Sequence, residues 1–224
     1  CDVMTGICGT KNLNNNDPCD DLDPCTAGEL CQNGGCAGGT PVTMCTNGDS
    51  CCPGGCTPNN DSDCAITVLD VGPHGSLYSG SSTRGYWFTA PKAMTIKELR
   101  VPTEVGTEAQ NIQVVRFTAG VPVYPTTTTA HTTLVYLKAV PGTGWNVVNI
   151  VVKQGDVIGI LGARGTTSMK NSYGVGNPYP TKMFGISVNL ARLVYQSNLY
   201  TTPAGALSTE VGGSYSRIEM KYGP

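Results

Sequence analysis

Residues 1–64 contain no phenylalanine, tyrosine, tryptophan or histidine, and residues 65–224 contain no cysteine. The first absence leaves only a few aliphatic side chains, such as Ile7, Leu13, Leu22, Leu30 and Val42, to hold the leading segment together. That is too little apolar surface to offset the entropy of ordering it, so a covalent or metallic constraint is required. Long hydrophobic runs are missing throughout. The longest, WNVVNIVV at 145–152, falls far short of the roughly 20 residues a membrane-spanning helix needs. There is no Cys-x-x-Cys pair, no G-x-S-x-G elbow, and histidine occurs only at His74 and His131. These absences weigh against zinc ribbons and against the serine hydrolases built on a nucleophile elbow.

What the leading segment does have is eleven cysteines: Cys1, Cys8, Cys19, Cys25, Cys31, Cys36, Cys45, Cys51, Cys52, Cys56 and Cys64. Their spacings, C-x5-C-x5-C-x4-C and C-x5-CC-x3-C, with no nearby histidine, fit a disulfide framework rather than a zinc site. Adjacent Cys51 and Cys52 point in different directions and are expected to bond two different partners. Each bridge contributes about 2–4 kcal/mol, enough in number to order a coreless segment. Disulfides at this density imply an extracellular or cell-surface location. The chain begins at cysteine with no signal peptide ahead of it, as a processed or truncated product would, and a lipid on Cys1 is the alternative to its pairing. An odd count leaves one cysteine free, lipidated or bonded to another chain.

Charge divides the chain at the same place. Residues 1–64 hold nine acids against Lys11 alone, a net of −8, while residues 65–224 hold thirteen bases against seven acids, a net of +6. Unlike surfaces of this kind attract, within a chain or from one copy to the next. The bases of the second segment are dispersed, with no basic stripe of the kind that binds nucleic acid. The division into an acidic arm, 1–64, and a second domain, 65–224, follows.

Within the arm, Asn59, Asp61 and Asp63 alternate as calcium-loop ligands do, and Asp21 and Asp23 repeat the spacing. An EF-hand is excluded: Cys64 occupies the position that requires glycine, and AITVLD at 65–70 reads as a strand. A looser calcium site and a set of solvated Asx turns both remain open, and no other cofactor is expected. CDDLDPCTAGELCQNGGCAGG resembles the Cys-rich repeats of myxobacterial surface and secreted proteins through Cys19, Asp21, Asp23, Cys25, Thr26, Gly28, Cys31, Gly34 and Cys36. GDSCCPGGCTPNNDSDC resembles a second such module. Leu22 and Glu29 depart from the repeat's usual Gly and Asp. The resemblance, over about 19–64, implies an extracellular spacer or adhesive stalk.

From residue 65 the pattern becomes short runs rich in Val, Ile, Tyr and Thr, broken by Gly, Pro, Asn and Ser. AITVLD, GYWFTA, MTIKELRV, NIQVVRF, TLVYLKAV, WNVVNIVV, DVIGILG, MFGISV, ARLVYQ and SRIEMKY are the expected strands. Sustained helical periodicity is absent. The expected fold is all-β: a jelly-roll-like β-sandwich preceded by a small disulfide-rich, mostly irregular segment. GYWFTAPKAMTIKELRVPTE, QNIQVVRF and GDVIGILGARG resemble an uncharacterised β-sandwich domain of secreted bacterial proteins, over about 72–222, which implies architecture and secretion only.

Catalysis is not expected. Ser76, Ser79, Ser81 and Ser82 lie near His74 in sequence without a triad signature, and Glu98, Glu104 and Glu108 flank surface turns. The aromatic residues Tyr86, Trp87 and Trp145 are the candidates for a glycan platform, against the alternative that they fill the core. Thr126, Thr127, Thr128 and Thr129 form a Thr-rich run open to O-glycosylation, and Asn60-Asp61-Ser62 is an N-x-S sequon. The composite expectation is an extracellular structural subunit. It self-associates head to tail through its acidic arm and basic sandwich, with a surface adhesin or carbohydrate-binding module as the alternative.

Overall fold

The computed structural model describes residues 14–21, 23–49 and 51–224. Cys1 and Cys8, and with them the expected pairing or lipidation of Cys1, lie outside the described residues. Two compact units divide the chain, Cys1–Ala65 and Ile66–Pro224.

The first unit is built from turns pinned by sulfur. Its strands are two or three residues long: β1 (Thr26–Ala27) pairs with β4 (Thr40–Pro41), and β2 (Leu30–Gln32) with β3 (Gly35–Ala37). Among the described residues four disulfides join Cys19–Cys36, Cys25–Cys51, Cys45–Cys56 and Cys52–Cys64. The vicinal pair serves two partners, as its geometry demands. Cys51 reaches back to the first Cys-rich module while Cys52 closes the second, so Cys25–Cys51 ties the modules together. Cys31 is the free cysteine among the described residues, and only 6% of it is exposed. That burial runs against a bond from Cys31 to another chain, which would require β2 to open. Asp21 and Asp23 are spent on turns: Asp21 Oδ1 accepts from the Asp23 N–H and Asp23 Oδ1 from the Cys25 N–H.

The second unit contains β5 (Thr67–Val68), β6 (His74–Gly80), β7 (Thr83–Thr89), β8 (Met94–Arg100), β9 (Gln110–Phe117), β10 (His131–Val140), β11 (Asn146–Val152), β12 (Val157–Arg164), β13 (Met169–Gly174), β14 (Tyr179–Met183), β15 (Ile186–Tyr195), β16 (Ser208–Thr209) and β17 (Glu219–Gly223). A small sheet has the order β11-β8-β17-β5, and the large sheet contains β10-β9-β12-β7-β15-β14. Taken with the chain order, this is a jelly roll. The pairs β9·β10, β8·β11, β7·β12 and β5·β17 nest one outside the next, each antiparallel, and the chain passes between sheets as it unwinds. To this frame β14, β15 and β16 add width beside β7, and β6 with β13 forms a further pair.

The nesting explains the packing. Tyr86 and Phe88 of β7, Ile112 and Val114 of β9, and Ile158 and Ile160 of β12 face Met94, Ile96 and Leu99 of β8 and Met220 of β17 across the main core. The opposite face of the large sheet is also covered, by Leu193, Leu199 and Leu207 against Val115, Phe117 and Leu161. Strands buried on both faces lose simple alternation, which is why β9 and β12 are buried nearly throughout. Gly85 meets this crowding directly: a Cβ there would lie 1.8 Å from the Ile160 carbonyl oxygen. Arg164, fully buried on β12, donates to the carbonyls of Pro102, Val101, Glu108 and Gly142 and so ties two crossover loops to the sheet.

Two strand expectations need correction. MFGISV is a hairpin turn rather than a strand: Met183 pairs with Ile186, and Phe184 (φ 53°) and Gly185 (φ 77°) supply the two left-handed positions of a tight connection. The Phe184 ring packs edge-on against Tyr222 at 5.1 Å, which holds the residue there. Conversely, β6 and β13 carry almost no β-branched residues and were invisible to propensity. They form by pairing with each other, with Tyr78 and Tyr173 stacked at 5.5 Å.

Candidate functional site

Residues 47–49 and 61–63 of the arm are zipped together by side-chain-to-backbone bonds. The Ser62 N–H donates to Asn47 Oδ1 at 2.7 Å and the Gly48 N–H to Asp63 Oδ2 at 2.5 Å. Disulfides Cys45–Cys56 and Cys52–Cys64 brace the same two segments. Asp61 caps the 3-10 turn Ser62–Cys64, its Oδ1 accepting from the Asp63 N–H at 3.0 Å. These constraints bring a carboxylate oxygen from each of Asp49, Asp61 and Asp63 within 4.8 Å of one another. Asp49 is exposed, Asp63 partly buried and Asp61 completely buried. Of the expected ligands, Asp61 and Asp63 converge, together with Asp49; Asn59 stands in an exposed turn, where neighbouring Asn60 accepts from the Thr57 N–H. Asp21 and Asp23 join no such group among the described residues.

The second candidate is the outer face of the small sheet. Here β-sheet register aligns one row across all four strands, Val68–Lys221–Glu98–Val147. Its centre is an ion pair, Lys221 Nζ to Glu98 at 3.0 Å, and a second pair, Arg100 Nε to Glu219 at 2.5 Å, runs alongside. Its ends are apolar and open: Val68 is 55% exposed and Val147 69%. Ile66 beside β5 and Val151 on β11 extend these exposed edges.

The aromatic candidates do not assemble into a platform. Tyr86 is fully buried and donates its hydroxyl to the Ile218 carbonyl at 2.9 Å, which corrects its expected place on a glycan-binding surface. Burial holds that phenol well above its usual pKa, with the neighbouring Tyr215 adding to the rise. Trp87 points to the other face of the large sheet and packs against the second core. Trp145 sits on the outer face of the small sheet, where Arg100 and Lys221 each approach its ring to 4.6 Å. Cation–π contacts therefore already occupy the ring. Thr126, Thr127 and Thr129 are exposed, while Thr128 is half-buried and bridges to Leu207.

One cluster superficially resembles a catalytic triad. His74 Nδ1 lies 3.0 Å from Ser172 Oγ and 3.7 Å from Glu104 Oε1. A relay needs the serine and the acid on opposite ring nitrogens, whereas here both face Nδ1. Ser172 is fully buried and donates to Glu104, which is also ion-paired with Arg217. Burial alone would raise the Glu104 pKa, but its backbone hydrogen bond, Arg217 and Ser172 together hold it below the usual carboxylate range. The arrangement anchors β13 to the loop after β8. The serine beside His74 is Ser172, 98 residues away, rather than Ser76, Ser79, Ser81 or Ser82; only the sheet pairing could reveal it.

No family model matches the sequence, and neither the curated proteins nor the solved structures searched contain a match. The four disulfides point to a secreted or extracellular protein. Among the described residues no helix is long and apolar enough to cross a membrane.

Proposed function

We propose that the protein is an extracellular structural subunit that associates head to tail with further copies of itself, the β5 edge of one small sheet meeting the β11 edge of the next. The observation that carries this reading is the row Val68–Lys221–Glu98–Val147, apolar and exposed at both ends. Open sheet edges bearing β-branched residues are templates for strand addition. Every joint in the small sheet is antiparallel and it has four strands. An even number lets a copy related by translation place its β11 antiparallel to β5, so the same joint repeats without reversal. A contact between two unlike edges does not close on itself by a two-fold axis and propagates as a filament.

The opposite charges of the two segments, −8 and +6, add an attraction between copies that salt screens. The burial of Cys31 makes the association noncovalent at that residue. The arm's resemblance to Cys-rich repeats of bacterial surface proteins agrees with a place at the cell surface.

Negative-stain electron microscopy of the oxidised protein near neutral pH tests this. Regular filaments are expected. Val147→Lys with Val151→Lys should abolish them while leaving thermal stability within about 0.5 kcal/mol, since both positions are exposed. Discrete single particles from the unsubstituted protein would overturn the reading.

A further inference from the structure

We propose that Asp49, Asp61 and Asp63 bind a calcium ion, independently of any association between copies. Three carboxylates in proximity are not by themselves a site; the decisive feature is Asp61. Its side chain is sealed from solvent, Oδ1 is taken by the Asp63 N–H, and Oδ2 is buried with no hydrogen-bond partner. A buried acceptor left unpaired is destabilising, the more so when it is charged. A cation shared with the neighbouring carboxylates satisfies Oδ2 and neutralises two of the three charges.

The donor chemistry selects the class of ion. All three ligands are carboxylate oxygens, which suit a hard cation and not a thiophilic one. Ligand oxygens about 2.3–2.6 Å from a calcium ion lie up to roughly 5 Å apart, and the three oxygens here fall within 4.8 Å of one another. The loop is preset for the task. Cys45–Cys56 and Cys52–Cys64 fix both segments that carry ligands, and Asn47 Oδ1 and Asp63 Oδ2 hold them in register. The ion would convert the electrostatic repulsion of this acidic turn cluster into a crosslink between 49 and 61–63. That crosslink adds to the disulfides where the arm has no apolar core.

The test is a titration of the full-length oxidised protein, stripped with chelator, with calcium chloride, followed by amide chemical shifts and calorimetry. One site is expected, with Kd in the extracellular range of about 10⁻⁴–10⁻³ M or tighter and with shifts concentrated at residues 47–49 and 61–63. Asp61→Asn should weaken binding at least about tenfold. Asp49→Asn provides the second variant: Asp49 is exposed, and Asn preserves the acceptor for the Cys51 N–H. The loop therefore stays folded, as a disulfide map verifies, while affinity falls. Absence of calcium-dependent shifts in these segments, or wild-type affinity in both variants, would overturn the proposal.

Discussion

Up to Ala65, the buried hydrophobic side chains among the described residues are Cys31 and Cys51, joined by Pro53, and four disulfides cross those residues. From Ile66 onward there is no cysteine, and Tyr86, Phe88, Ile96, Leu99, Ile112 and Ile160 are fully buried between two sheets. One unit is ordered by limiting its unfolded ensemble, the other by removing apolar surface from water. The polar chemistry differs accordingly. The arm spends Asp and Asn side chains on its own turns, as at Asp21, Asp23, Asp49 and Asn60. The sandwich spends long polar side chains across large sequence separations, as Arg164 does over 62 residues to Pro102. The comparison teaches that each unit should fail under a different insult.

Reduction is the largest expected effect and falls on the arm alone. With bridges worth about 2–4 kcal/mol each, a thiol reductant should abolish amide-exchange protection over residues 14–65 while the sandwich keeps its melting transition. Simultaneous loss of both would break the comparison. Next in size is Arg164→Met, which removes the donor to the buried Val101 and Pro102 carbonyls and to the Glu108 carbonyl and should cost the sandwich about 3–5 kcal/mol. A denaturant midpoint shift with an unchanged disulfide map would verify it.

Acid sharpens the contrast more gently. Because the Glu104 carboxyl is held below its usual range, the unfolded chain binds the proton more readily. Its contribution is full above about pH 4.3 and is lost as pH falls through the lower native value. Glu104→Gln should therefore destabilise the sandwich at pH 7 and lose that penalty on acidification, read from denaturant curves at the two pH values. The stability effect of Val147→Lys is expected to be the smallest, and its effect on assembly the most informative.

The jelly roll was legible as a class because Val-, Ile- and Tyr-rich runs recur between turn residues; DVIGILG and MTIKELRV announce β12 and β8 without any neighbour. Turn chemistry was partly legible. Gly155 before Asp156 marks the entry to β12 and adopts φ 82°, whereas Phe184 at positive φ has no local signal. The acidic site was half legible: alternation flagged Asp61 and Asp63, but nothing local joins Asp49 to them.

Composition and spacing by themselves determined that the leading segment must be crosslinked, that Cys51 and Cys52 serve different partners, and that the rest folds as sheets. These follow from local quantities: apolar content, adjacency and two-residue periodicity. Tertiary structure alone decided which sheet neighbours which, and so buried Tyr86, set His74 beside Ser172, left Cys31 unpaired and aligned Val68 with Val147 across four strands. Those outcomes depend on pairing between segments tens of residues apart. The energy of that pairing comes from packing on both faces of a sheet, which no single stretch of chain encodes.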